Sequence, residues 1–395
     1  MSVFKVEIMR PGNFGLNTSA TLEMPATQAE FQDAMQKARI TGNMEYTYEL
    51  CYCKHDWMQS HLPKAADLHE LNILAARIDS HVRDDIDIFK AMVQIDSNRR
   101  QGEATPLPRL INLTHSMDNC HVAGNITSDT LLGKFLYENG FLTKEDTGAV
   151  QARIDSYRPV SDLFAILGKE HKAYTGGVLT AYGCYVEFDG SINEVYKPGE
   201  TAQFERPGAP IMLKLFKDNK TAALDLPAEP SRIEDVKRTL GIKDLNDCSY
   251  QYADCMIPAA KDWLNIAQDM EQANTFAAAL DYMENSGEIL KYKALLESVG
   301  CGSLENALLL AGGVSEYELD TECPGPEAYA REYLSRLLEG IEGPDISNYF
   351  HLYPLGEFLM KHEHAGNTSY GILRHKDDGQ ILSPAEEPEM TMGME

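Results

Sequence analysis

No apolar run in this 395-residue chain approaches the ~20 residues that crossing a bilayer requires, so no membrane span is expected. The opening stretch MSVFKVEIMRPG lacks the basic-then-apolar order of a secretory leader and alternates like a strand. The cytoplasm is therefore the expected compartment. Eight cysteines are scattered rather than framed for disulfides, which suits a reducing environment. Phosphate-cradling loops are missing as well: TGGVLTAYG, GCGSLENA and AGGVSEYE fit neither the G-x-x-x-x-G-K-[ST] nor the G-x-G-x-x-G pattern. Long parallel βαβ alternation is absent, which argues against a doubly wound nucleotide-binding sheet.

Metal and nucleophile signals are equally thin. Cys120 stands beside His121 in NCHV, but neighbours on a strand point to opposite faces, and a buried thiol is the commoner reading. CYCKH (Cys51 to His55) offers two thiols and an imidazole, yet no second pair at zinc spacing completes it. KHEH (Lys361 to His364) reads as a solvated helix end. DDID (Asp84 to Asp87) lacks the glycine and closing glutamate of a calcium loop, and reads as a helix start that favours acids. No cofactor, metal or catalytic residue is expected, and the chain is read as a non-enzyme.

Positive charge is the scarcest commodity. Lys and Arg number 35 against 61 Asp and Glu, a net of −26. Such a balance repels nucleic acid and anionic membranes, so direct binding to either is not expected. Solubility is the plain explanation of that charge. The sharper one is imitation of a polyanion: duplex DNA carries one charge per ~1.7 Å, so 26 charges correspond to roughly 45 Å of duplex.

What the chain does contain is an echo of itself. LEMPA (Leu22 to Ala26) recurs as LDLPA (Leu224 to Ala228). Each follows an alternating strand, VFKVEIM (Val3 to Met9) or IMLKLFK (Ile211 to Lys217). Each precedes a helical stretch, 28–40 or 231–242, and then an aromatic strand ending in cysteine, YTYELC or YQYADC. The only two tryptophans come next, as Asp56-Trp57 and Asp262-Trp263.

LHELNILAARID (Leu68 to Asp79) and MEQANTFAAALD (Met270 to Asp281) share the period of an amphipathic helix, with Asn72 and Asn274 at the same step. FKAMV (Phe89 to Val93) is answered by YKALL (Tyr292 to Leu296). Each half closes with a helix, a Thr-x-Tyr-Gly segment (Thr180 to Gly183, Thr368 to Gly371) and an Asp-Gly pair that signals a hairpin.

Seven matches in one order imply a tandem duplication: residues 1–197, a linker at 198–208, a second copy at 209–383 and a disordered tail at 384–395. The expected fold class is α+β, small mixed modules duplicated in tandem, elongated and strongly acidic at the surface.

Acidity concentrates in the second copy. From Asp281 to Asp345 fourteen acids face four bases. Glu327–Arg331 and Glu332–Arg336 have the spacing of helical ion pairs. SEYELDTE places Glu316, Glu318, Asp320 and Glu322 at alternate positions, where a strand would line them along one face at ~6–7 Å steps, approaching phosphate spacing. The wet face of an edge strand explains the same pattern. Candidate partner-binding acids are Asp79, Asp84, Asp85, Asp87, Glu284, Glu288, Glu316, Glu318, Asp320, Glu322, Glu327, Glu332, Glu339, Glu342 and Asp345.

The stretch from Met44 to Ile78 resembles the ArdA family of antirestriction proteins. The likeness rests on Tyr46, Tyr48, Glu49 and Leu50, then on Glu70, Leu71, Asn72, Leu74, Ala75 and Ile78 in an ELNxLAxxL-like helix. It covers roughly fifty residues of the first copy and is loose elsewhere. The resemblance implies an acidic, elongated DNA mimic of mobile elements that occupies the DNA groove of a type I restriction–modification enzyme or another DNA-binding protein. This chain is about twice a typical member's length, and its second copy reads QANTFAAAL where the motif should stand. Members form homodimers, so the duplication implies a monomeric pseudo-dimer or a homodimer. Two alternatives are a structural or adaptor protein of a mobile element that binds through an apolar patch, and an enzyme whose site the sequence does not display.

Overall fold

The computed structural model describes residues 2–11, 18–42, 44–63, 67–81, 83–199, 208–264, 270–337, 351–377 and 381. Residues 200–207 of the expected linker at 198–208, and all of the expected tail at 384–395, lie outside them. Among the described residues the chain is mixed α and β, with four small three-stranded antiparallel sheets. Among the described residues no helix is long and apolar enough to cross a membrane.

Packing sorts the chain into two units. One comprises residues 1–5, 23–25 and 50–203; the other comprises 6–22, 26–49 and 204–395. Strands β1 (Phe4–Met9), β2 (Ser19–Met24) and β3 (Thr47–Cys53) form a sheet of order β2-β1-β3, with helix α1 (Gln28–Lys37) between β2 and β3 in sequence. The strands alternate buried and exposed positions, as FKVEIM and SATLEM require for a sheet with one covered face. A capping box starts α1: the Thr27 side chain accepts from Glu30 N, and the Glu30 carboxylate accepts from Thr27 N.

Next come α2 (Asp56–Gln59), α3 (Leu68–Asp79), α4 (Arg83–Arg99) and α5 (Leu107–Thr114). The first half closes with β4 (Cys120–Gly124), α6 (Asp129–Glu138), α7 (Lys144–Asp155), α8 (Ser161–Thr175), β5 (Val178–Leu179) and β6 (Cys184–Phe188), in the order β4-β6-β5.

From residue 211 the same kinds of element return. Strands β7 (Ile211–Lys217), β8 (Lys220–Leu226) and β9 (Ser249–Cys255) have the order β8-β7-β9, with α9 (Pro230–Leu240) inserted and ended by Gly241 at φ 76°. Helices α10 (Met270–Ser286), α11 (Ile289–Ser298) and α12 (Leu304–Gly313) follow. The last module is β10 (Tyr317–Asp320), α13 (Pro326–Leu337), α14 (Leu352–His362), β11 (Gly366–Thr368) and β12 (Gly371–His375), in the order β10-β12-β11. Both Met24-Pro25 and Leu226-Pro227 are cis.

The expected helix at Leu68 to Asp79 has those bounds, and its counterpart runs on from Met270 to Ser286. Their apolar stripes are interior: Leu71, Leu74 and Ala75 in one, Ala273, Phe276 and Leu280 in the other. The Asp-Gly expectation is corrected. Asp189-Gly190 follows the final strand of its module, and the Asp189 carboxylate closes a local turn by accepting from the Ser191 amide and hydroxyl. The hairpin reverses earlier, at residues 180–183, and its counterpart at 369–370. Asp378 and Gly379 lie outside the described residues.

Two glycines let helices touch. A Cβ on Gly168 of α8 would stand 2.0 Å from Asp129 O, and one on Gly356 of α14 would stand 1.8 Å from Pro326 O. Each lies fifteen residues before the glycine of its Thr-x-Tyr-Gly segment. Asn274 of α10 fixes the LDLPA corner, its Oδ1 accepting from Ala228 N at 2.6 Å and its Nδ2 donating to Ala228 O at 3.1 Å.

Gly356→Ala is expected to cost about 2–3 kcal/mol, because backbone cannot yield as a side-chain tip can. Gly148→Ala, in the exposed interior of α7 with open space around it, is expected to stabilise by about 0.5–1 kcal/mol. Urea midpoints of the two variants should move in opposite directions. Asn274→Ala, which strands two backbone groups at the corner, is expected to cost about 1–3 kcal/mol by the same measurement.

Candidate functional site

The acids proposed from sequence take several kinds of place. Glu318 is exposed on the edge strand β10, opposite Arg374 of β12. The strand holds only two of the four alternating acids, Glu318 and Asp320. Glu316 ends a 3-10 turn over Val314–Glu316, and its carboxylate lies 3.6 Å from His375 Nε2. Asp320 closes the strand by accepting from the amides of Glu322 and Cys323, which bends the chain before Glu322 can extend the row. Glu322 is exposed and 3.5 Å from Arg10. The phosphate-like row is therefore shorter than the alternation suggests.

Glu332 pairs with Arg336 along α13, and Glu288 with Lys291 at 2.7 Å. Glu327 is exposed and Glu284 half-buried. In the other unit, Asp79 stands 3.8 Å from Lys54 and Asp85 3.8 Å from His81, while Asp87 is half-buried in a cleft. The Asp84 side chain and Glu339, Glu342 and Asp345 lie outside the described residues.

The family-like helix presents its motif inward. Leu71, Leu74 and Ala75 are core, Asn72 is half-buried, and Glu70 accepts from the Tyr196 hydroxyl at 3.1 Å. Burial pushes the Glu70 carboxyl above its ordinary pKa. These residues shape the module rather than offer charge to a partner.

The sequence reading missed a buried polar cluster in the second unit. Helix α1 presents Glu30, Asp33 and Gln36 on one face, at spacings of three residues. Lys261 donates to Glu30 at 2.9 Å. Lys293 donates to Asp33 at 2.7 Å and to Gln36 at 2.9 Å, and the Tyr370 hydroxyl donates to Asp33 at 2.8 Å. Lys37, one turn on, reaches the second Asp33 oxygen at 2.9 Å. Asp33, Lys293 and Tyr370 are each no more than 5% exposed.

Burial pushes the Asp33 carboxyl up, but Lys293 and Lys37 outweigh it and hold its pKa below the ordinary value. Burial and then the Asp33 charge raise the Tyr370 hydroxyl. Just past α1, Arg39 is buried, and its guanidinium donates to the carbonyls of Thr321 and Cys323.

The first unit holds a cleft of about 910 Å³ whose lining includes Lys54, His55, Trp57, Lys90 and Tyr182. Lys90 Nζ stands 6.0 Å from the Trp57 ring centroid. Burial, then Lys54, lowers the His55 pKa, and burial, then Arg77, lowers that of His81. Cysteine chemistry finds little support: burial raises the Cys120 thiol to about 12 and the Cys255 thiol to about 11. Among the described residues no group of three or more His, Cys, Asp or Glu could hold a metal ion. The chain matches no protein-family model and no curated protein.

Lys293→Met leaves a buried carboxylate short of its main partner and is expected to cost about 3–5 kcal/mol. Asp33→Asn is expected to destabilise with a defined pH signature. Because the folded pKa of Asp33 is depressed, its contribution is complete above the unfolded value near 3.9 and disappears as pH falls through the folded value. Urea titrations should therefore show the gap between wild type and Asp33→Asn constant near neutrality and closing only in acid.

Proposed function

We propose that the chain is a tandem duplication acting as an acidic DNA mimic, which inhibits a type I restriction–modification enzyme or another DNA-binding enzyme by occupying its DNA groove. The observation that carries the reading is the charge of −26, with carboxylates such as Asp79, Glu318, Glu322 and Glu327 standing in solvent. Basic side chains that line a DNA groove would pair with carboxylates as they pair with phosphates. The duplication is supported by the paired sheet orders β2-β1-β3 and β8-β7-β9, then β4-β6-β5 and β10-β12-β11. The equal offsets of Gly168 and Gly356 add to it. On this reading one chain supplies both halves of a pseudo-symmetric mimic, and its setting is a mobile genetic element in the cytoplasm. The resemblance to the ArdA family supports the module more than the partner, since its motif helix is interior.

Exposed rings favour a second reading. Phe141, Tyr157 and Tyr174 are 65%, 97% and 91% exposed, as an adaptor that docks through apolar contacts would need.

The deciding measurement titrates the purified chain against a type I restriction–modification enzyme holding labelled DNA, at low and at moderate salt. Mimicry predicts near-stoichiometric DNA release that weakens as salt rises. Glu318→Lys with Glu327→Lys should reduce release several-fold while leaving the urea midpoint within about 0.5 kcal/mol, because both side chains are exposed. Absence of release at either salt would sink the reading for that enzyme. Salt-insensitive binding without DNA release would favour the adaptor.

A further inference from the structure

The cleft of about 910 Å³ lies wholly within the first unit. Its lining comes from the exit of β3, from α2, α3 and α4, and from β5 with the turn after it. That volume suits a small molecule. Ile78 and Ala91, each 2% exposed, and half-buried Trp57, Ile86 and Val178 make much of the lining apolar. The Trp57 ring is held in place by Phe89 and His61, whose rings meet it edge-on at centroid distances of 6.0 and 6.2 Å.

Charge in the lining is carried by Lys54, Asp87 and Lys90. Lys54 stands 3.8 Å from Asp79, and Asp87 is half-buried. Lys90 differs from both. It is exposed, it makes no ion pair among the described residues, and its ammonium stands 6.0 Å from the Trp57 centroid. An unpaired ammonium beside an apolar lining asks for a ligand with one anionic group and an apolar body. A polyphosphate would need several such cations, and the chain has no phosphate-cradling loop.

We propose that this cleft is a binding site for a small organic monoanion, a carboxylate or sulfonate on an apolar ring body, with the anionic group on Lys90 and the body against Trp57, Ile86 and Val178. The site depends neither on DNA mimicry nor on the duplication, so a failed DNA-release assay would leave it standing.

The probe is naphthalene-1-sulfonate, titrated into the full-length chain by isothermal calorimetry, with the neutral naphthalene-1-sulfonamide as its comparison. Saturable one-to-one binding in the sub-millimolar range is expected. The sulfonamide should bind about fivefold more weakly, the scale of one partly solvated ion pair. Lys90→Met should cost the sulfonate the same factor, whereas Lys144→Met, at an exposed lysine of α7, should cost nothing. Ala181→Trp, at an exposed position of the lining, should block the cleft. All three substitutions fall at exposed side chains, and circular dichroism checks that folding is retained. With isotopic nitrogen placed only in tryptophan, the Trp57 indole resonance should move on saturation while that of Trp263, the other tryptophan, stays.

Absence of saturable binding at millimolar probe overturns the assignment. Equal affinity for sulfonamide and sulfonate removes the anionic group from it and overturns it too. So does binding that survives both Lys90→Met and Ala181→Trp, which would place the probe elsewhere on the chain. Affinity that falls as the chain concentration rises would assign the cleft to a second copy and likewise overturn the small ligand.

Discussion

The Asp33 carboxylate is the point on which the second unit turns. It is buried and accepts from Lys293 and Tyr370 on one oxygen and Lys37 on the other, so residues 260 and 337 positions away in sequence converge on one short side chain. Desolvating an ammonium and a carboxylate costs several kcal/mol each, and an apolar trio of the same shape could hold the elements together at least as well. What a charged trio adds is uniqueness. Asp33 is satisfied only when α1, α11 and the β11–β12 turn stand in one arrangement, and a slip of one helical turn would leave a buried charge unmatched. Glu30 with Lys261, and Arg39 with two carbonyls, bracket it on either side. Three polar contacts along α1 and its exit fix both the angle and the register of the helix.

Much of the local architecture was readable because it depends on periodicity. The helix at Leu68 to Asp79 declared itself through apolar residues at three- and four-residue steps, and the strands at Phe4 and Ile211 through alternation. Asp-Gly misled because the pair is a turn former in general and not a hairpin former in particular. Here the Asp189 carboxylate caps its own exit turn, while the reversal is made at Thr180 to Gly183. The acidic row of SEYELDTE misled for a related reason. Alternation holds only while the backbone stays extended, and a 3-10 turn before Tyr317 and the Asp320-closed turn after it limit the strand to four residues.

The Asp33 cluster was illegible for a different cause. Asp33, Lys293 and Tyr370 are ordinary polar residues in amphipathic surroundings, and nothing in a window of a dozen positions marks them as interior. Their only trace is an echo in the sequence: Lys90 with Lys293 and Tyr182 with Tyr370 keep residue type across some two hundred positions. Asn274 left the same kind of trace through Asn72. A repeat reports which positions two modules share. It is silent on which of those positions another segment covers, as α1 covers Lys293 and Tyr370.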